Sequence, residues 1–174
     1  MSYKRLFLLV EGNDDQRFFE RIIKPKLLKR YSDIKIVKYS EWKKKKIKAF
    51  LKALSSMKAD YLYIMDINDH PCVTARKEKL INRIPGVDQN KLIVVIKEIE
   101  SWYLAGIAPN NLKKLKIKQT KNTNTLTKER FNNLIPGKFD SRIDFMIEIL
   151  NLFSFDTAKR KNDSFLYFTR KFNL

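Results

Sequence analysis

Acidic residues, cysteine and histidine are all in short supply in this chain. One cysteine, Cys72, excludes an internal disulfide. One histidine, His70, stands two residues before it, and no second Cys/His pair completes a zinc site. Nothing places a histidine beside Ser101, so the sequence offers no nucleophile with its base. No apolar run reaches the length of a transmembrane helix. Met1, Ser2 and Tyr3 lead through Lys4 and Arg5 into a short apolar run, without the long apolar region or small-residue cleavage site of a secretory leader. With these absences, the expected location is cytoplasmic, with no membrane partner. No internal repeat is visible.

The acid shortage leaves a large cationic excess. There are 37 Lys+Arg against 19 Asp+Glu in 174 residues, a formal net charge of +18. Such a surface calls for a polyanionic partner, with nucleic acid, DNA or RNA, as the default. A Lys- and Asn-rich composition also arises from an AT-rich genome, and cationic surfaces serve membranes as well. Apolar residues make up 44% of the chain, so a core is available. The length suits one domain, or one domain with a small appendage.

Four apolar runs read as strands. They are Arg5 to Val10, Ile34 to Tyr39, Tyr61 to Ile67 and Lys91 to Ile96. Helical spacing separates them. Phe18, Phe19, Ile22 and Ile23 predict a helix that stops near Pro25. Ile47, Phe50, Leu51 and Leu54 predict one with Lys43, Lys44, Lys45, Lys46, Lys48 and Lys52 on its outer surface. Val73, Arg76, Leu80, Ile81 and Ile84 predict a third, closing at Pro85-Gly86. The alternation predicts an α/β fold, a mostly parallel central sheet flanked by helices. After Asn110 the texture changes. Lys113, Lys114, Lys116, Lys118 and Lys121 precede a Thr/Asn-rich stretch, read as a basic flexible loop, and helical patterns follow over 128–135, 142–153 and the last segment. The expected division is a sheet domain over 1–108 and a helical extension over 109–174. Lys113, Lys114, Lys116 and Lys118 are the candidate phosphate contacts.

Acids gather where strands end. The first strand runs into Glu11-Gly12-Asn13-Asp14-Asp15, with Gly12 free to take a positive φ and Asn13 or Asp14 placed to cap the helix. Asp14 and Asp15 suit the helix dipole. The third strand runs into Asp66, Asn68 and Asp69, and the fourth into Glu98 and Glu100. Asp, Asn and Pro around His70 also make an ordinary turn, and Asp69 could merely cap the following helix. A parallel sheet brings all its carboxyl ends to one edge, and clustered carboxylates are stable mainly around a cation. Oxygen donors of this kind suit Mg²⁺ or Mn²⁺.

Val10-Glu11-Gly12-Asn13-Asp14-Asp15 before a Phe-rich helix, with Asp66-Ile67-Asn68-Asp69 after a later strand, resembles the Toprim fold. The likeness covers roughly Lys4 to Gly106. Ile99-Glu100-Ser101-Trp102-Tyr103-Leu104-Ala105 and the tail Ser164-Phe165-Leu166-Tyr167-Phe168 are similar to small stand-alone Toprim proteins related to OLD-type nucleases. The resemblance implies a metal-dependent nuclease. Glu11 would be a general acid or base or a metal ligand, and Asp66 would bind Mg²⁺. Asn68 stands where the family has its second Asp and would give the metal an amide oxygen without charge, with Asp69, Glu100 or Glu98 making up the set. The same departure supports a binding-only partner of a separate ATPase, as in phage defence. Ribosomal RNA maturation is a further reading.

Overall fold

The computed structural model describes residues 4–118 and 120–174. Met1, Ser2 and Tyr3, weighed above for a leader, and Gln119 in the basic stretch lie outside the described residues. All four expected strands are present: β1 (Arg5–Val10), β2 (Asp33–Lys38), β3 (Asp60–Asp66) and β4 (Leu92–Val95). They form one sheet in the order β2-β1-β3-β4. β1 pairs in parallel with β2, where Leu8 faces Ile36, and with β3, where Leu9 faces Tyr63. Leu8, Leu9 and Val10 in β1 and Leu62, Tyr63, Ile64 and Met65 in β3 are all buried. Continuous burial is what a strand covered on both faces requires.

The helices follow from the apolar periodicity. α1 (Asn13–Phe18) passes through a π-helical turn (Phe19–Ile23) into α2 (Lys24–Leu27). Lys24 N–H reaches back to Phe19 O, one residue further than in an α-helix. This wide turn lies just before Pro25, whose ring cannot share the normal ladder. Leu27, which carries the helix past Pro25, is fully buried. α3 (Lys44–Ser56) buries Ile47 and Leu54, and α4 (Val73–Arg83) buries Leu80. Gly86, at φ 91°, turns the chain after α4. A 3₁₀ turn (Gln89–Lys91) leads into β4. Parallel crossovers are right-handed. With this strand order, α1 and α2 cover one sheet face, while α3 and α4 cover the other.

Two details at the start of α1 differ from expectation. Gly12 is extended, with φ −138°, so no positive φ is needed there. Neither Asn13 nor Asp14 caps the helix. Gly12 is the N-cap, and its N–H donates to Asp15 Oδ2 at 3.1 Å. Asn13 instead accepts from Lys38 Nζ, and Asp14 pairs with Arg17 at 2.8 Å. The carboxylate one turn into the helix satisfies the orphan amide better than a side chain outside it.

A second compact unit begins at Val95. The expected bound between residues 108 and 109 falls inside it. This unit is helical: α5 (Ile99–Ala105), α6 (Pro109–Leu115), α7 (Lys128–Asn132), α8 (Arg142–Asn151), α9 (Phe155–Lys161) and α10 (Asp163–Phe172). α6 replaces the front of the expected basic loop, because Leu112 and Leu115 bury one face behind Pro109. α9 is a separate helix that periodicity did not single out. Trp102, Phe165 and Phe168 form the core, with Trp102 edge-on to Phe165 at 5.1 Å. Asn162 ties this unit together. Its amide nitrogen donates to Ser101 Oγ at 3.2 Å and Thr123 Oγ1 at 3.1 Å, and its oxygen accepts from Ser164 at 2.7 Å. Trp102 Nε1 donates to Ser164 Oγ at 2.8 Å. Each buried polar group here has a partner, which is the condition for burying it at all.

A Cβ on Gly106 would overlap the Phe153 ring. Gly106→Ala is therefore expected to destabilise the second unit by about 1–3 kcal/mol, read as a lowered urea midpoint. At the amino end of β3, burial raises the Asp60 carboxyl, but hydrogen bonds from Lys91 (2.5 Å) and Tyr31 (2.9 Å) outweigh it and hold Asp60 below its ordinary value. The unfolded chain then binds the proton more readily. The stability this pair adds is present above about pH 4 and is lost as pH falls through the folded value. Urea midpoints between about pH 6 and pH 3 should fall less steeply in Asp60→Asn than in the parent.

Candidate functional site

The strand order creates a switch point. The chain leaves β1 toward β2 over one face and leaves β3 toward β4 over the other. In open parallel sheets, ligands bind in the crevice at the carboxyl end of such a pair. Glu11 follows β1 directly, and Asp66 is the last residue of β3, its neighbour. Two of the acids singled out in the sequence thus arrive at this crevice. They arrive in opposite phase. Leu9 pairs with Tyr63, so Glu11 continues the face that carries Tyr63, while Asp66 belongs to the alternate set with Leu62 and Ile64.

Glu11 Oε2 is shielded from solvent and has no hydrogen-bond partner. A carboxylate oxygen buried without a partner costs free energy unless a ligand supplies one. Glu11 lines a cavity of about 180 Å³ with Tyr39, Trp42, Tyr63, Arg76, Lys79 and Arg83. Arg76 Nε donates to the Asp66 carbonyl at 2.7 Å, which fixes the guanidinium beside the strand end. The Tyr39 and Tyr63 rings lie 4.4 Å apart, and Tyr39 Oη donates to Ile64 O at 2.8 Å. Burial drives the Tyr39 phenol well above its ordinary value and Tyr63 up to about 12. Both stay neutral near neutral pH.

Asn68 and Asp69 are exposed on the turn after β3. Ile67 O accepts the His70 amide at 3.2 Å and lies 2.9 Å from His70 Nδ1. Asn68 has φ 52°. Asn and Asp are the residues that tolerate this left-handed conformation, so the turn gives Asn68 a backbone reason to be there. Cys72 caps α4, its Sγ accepting from Ala75 N–H at 3.4 Å.

Glu100 lies in the second unit, 3% exposed, and its Oε1 pairs with Arg142 at 2.5 Å. Arg142 also donates to Asn132 Oδ1 at 2.7 Å and lies over Phe131. The charge of Glu100 is therefore already matched. Glu98 Oε2 accepts the Lys128 amide at 2.5 Å and so caps α7. Lys113 and Lys114 on α6, Lys116 at its left-handed end and Lys118 are all exposed. The cations Arg76, Lys79 and Arg83 were missed as a site in the sequence. The signal was Arg76 itself, an arginine among the positions that periodicity assigns to the buried stripe of α4.

Within the first unit, no three described His, Cys, Asp or Glu side chains form a metal-binding group. Glu11 and Asp66 still fit a hard divalent cation, whose remaining positions substrate and water oxygens would fill. Mg²⁺ is often held by one or two carboxylates plus phosphate oxygens, and the partnerless Glu11 oxygen is the kind of donor it takes.

Among solved structures, the fold is similar to the C-terminal region of the Burkholderia pseudomallei OLD protein, with a TM-score of 0.54, 12% identity and 100% of both chains covered. At that identity the likeness is one of fold. It agrees with the parallel four-stranded sheet and flanking helices expected here. No protein-family model matches the chain, and no curated protein matches its sequence. No described helix is long and apolar enough to cross a membrane.

Arg142→Met removes the partner of a buried carboxylate. The expected cost is about 3–5 kcal/mol, measured by urea unfolding. The double variant Glu100→Met with Arg142→Met should recover most of it, because no unpaired charge then remains.

Proposed function

We propose that the chain is a Toprim-like nuclease domain that hydrolyses phosphodiester bonds in DNA or RNA. One observation carries this reading. A buried, unpartnered carboxylate oxygen on Glu11 stands at the switch point of a parallel sheet, beside cations that fit a phosphate backbone. The OLD-protein fold likeness supports it, as do the Toprim-like motifs around Glu11 and Asp66.

Glu11 and Asp66 are assigned as the residues that hold Mg²⁺ or Mn²⁺, with Asn68 and Asp69 on the next turn as outer donors. When bound, the ion would neutralise charge on the reacting phosphate and favour hydroxide at neutral pH. Glu11 takes a proton from the attacking water. Water oxygen bonds to phosphorus as the phosphodiester P–O bond breaks, and the leaving oxygen takes a proton from solvent water. Arg76, beside the strand end, steadies the negative charge. The exposed lysines of α3 contact the polyanion without reading its sequence, and Lys113, Lys114, Lys116 and Lys118 are assigned phosphate contacts of the second unit. Glu100 is assigned to its ion pair with Arg142.

Cleavage of DNA and RNA with Mg²⁺ or Mn²⁺ tests the proposal. Glu11→Gln and Asp66→Asn should each lower the rate by about 100-fold or more, with binding in chelator retained. Unchanged rates in both variants would refute it. A second reading is favoured by the exposed Asn68 turn and the neutralised Glu100. In it, the chain is a non-catalytic nucleic-acid-binding partner of a separate ATPase, as in phage defence. That reading expects salt-dependent binding and no turnover with either metal.

A further inference from the structure

We propose that the cavity between α3 and α4 is a pocket for the terminal phosphomonoester of a nucleic-acid strand, so that the enzyme recognises strand ends. This rests on the nuclease reading and names the part of the substrate that reading leaves open.

Arg76, Lys79, Leu80 and Arg83 are spaced i, i+3, i+4 and i+7, so they share one stripe of α4. Leu80 anchors that stripe in the core at 5% exposure. The other three are cations, and they line the same cavity. Among the described residues none of the three makes an ion pair. A solvated basic face spreads its charges round a helix, whereas this stripe converges them on one hollow. Three like charges in one cavity repel, and an anion relieves that repulsion.

The size and charge select the ligand. About 180 Å³ is well below the volume of pockets for whole drug-sized molecules, so the cavity takes a group. Three cations face one carboxylate, Glu11. An internal phosphodiester carries one negative charge, while a phosphomonoester carries about −1.5 to −2 near neutral pH. The cavity therefore favours the monoester. Arg76 is already oriented by the Asp66 carbonyl, and a pre-placed guanidinium fork suits two phosphate oxygens at once. Tyr39 and Tyr63 are neutral phenols near pH 7 and add no negative charge to the wall. Glu11 belongs both to this cavity and to the strand-end crevice, so an end phosphate bound here lies next to the proposed reaction centre.

The test uses the whole chain in chelator, so that no cleavage intervenes. Oligonucleotides identical in sequence but ending in 5′-phosphate, 3′-phosphate or hydroxyl are titrated, following tryptophan emission. Trp42 lines the cavity, whereas Trp102 is fully buried. A strand ending in one of the phosphates should bind at least about tenfold more tightly than the hydroxyl-ended strand. The double variant Lys79→Ala with Arg83→Ala, which removes exposed side chains, should cut that preference to about twofold or less while circular dichroism stays unchanged. Equal affinity for all ends, or a preference that survives the double variant, overturns the proposal. A nucleoside monophosphate that competes at comparable concentration assigns the pocket to free nucleotides, and competition only at large excess assigns it to strand ends. The two proposals fail separately. End preference without metal-dependent cleavage sinks the nuclease reading, and cleavage indifferent to end phosphorylation sinks the pocket.

Discussion

Parallel pairing of β1 with β3 places two buried strands side by side with their carboxyl ends together. Because β2 lies beyond β1 and β4 beyond β3, the connections leave these ends over opposite faces. The chain cannot close over the edge between them. Glu11 and Asp66 meet that opening, Arg76 is pinned there by the Asp66 carbonyl, and the cavity under α3 and α4 starts from the same place. A different strand order would separate these groups even if every residue kept its secondary structure.

Glu11 and Glu100 are buried in different ways. Among the described residues of the second unit, Glu100 is paired with Arg142 and Asn162 with its hydroxyl neighbours, while Lys161 Nζ donates to the Ile107 carbonyl at 2.8 Å. Burial lowers the Lys161 ammonium below its ordinary value, since a single carbonyl repays little of its lost hydration. In the first unit, Glu11 Oε2 is buried without a partner, and three cations share one cavity. Matched burial serves packing. A buried carboxylate oxygen without a partner raises the energy of the empty site, and exposed cations lining the same cavity attract an anion.

All four strands and the helices α3 and α4 were legible in the sequence, because buried strands and amphipathic helices impose strong apolar patterns. The misreadings fall where local chemistry has several solutions. Gly12 suggested a positive φ but is extended, since the helix is capped from within by Asp15. The stretch after Asn110 suggested a loop, yet two buried leucines were enough to form α6. α9 was hidden in a run of mixed character because Asn162 ends it and also caps α10.

The residues alone determined the cationic surface, the α/β alternation and the acids that follow the strands, since composition and periodicity are properties of the chain itself. They also pointed to Glu11 and Asp66 as a pair. Only the tertiary structure decided that Glu98 and Glu100 are bound within the second unit. Glu98 and Glu100 follow a strand as Asp66 does, but they are engaged by a helix amide and an arginine supplied from 30 and 42 residues away. It alone also brought Tyr39, Trp42 and Tyr63 to the same hollow as Arg76, Lys79 and Arg83. Such partnerships depend on which faces pack together, and spacing along one chain does not carry that information.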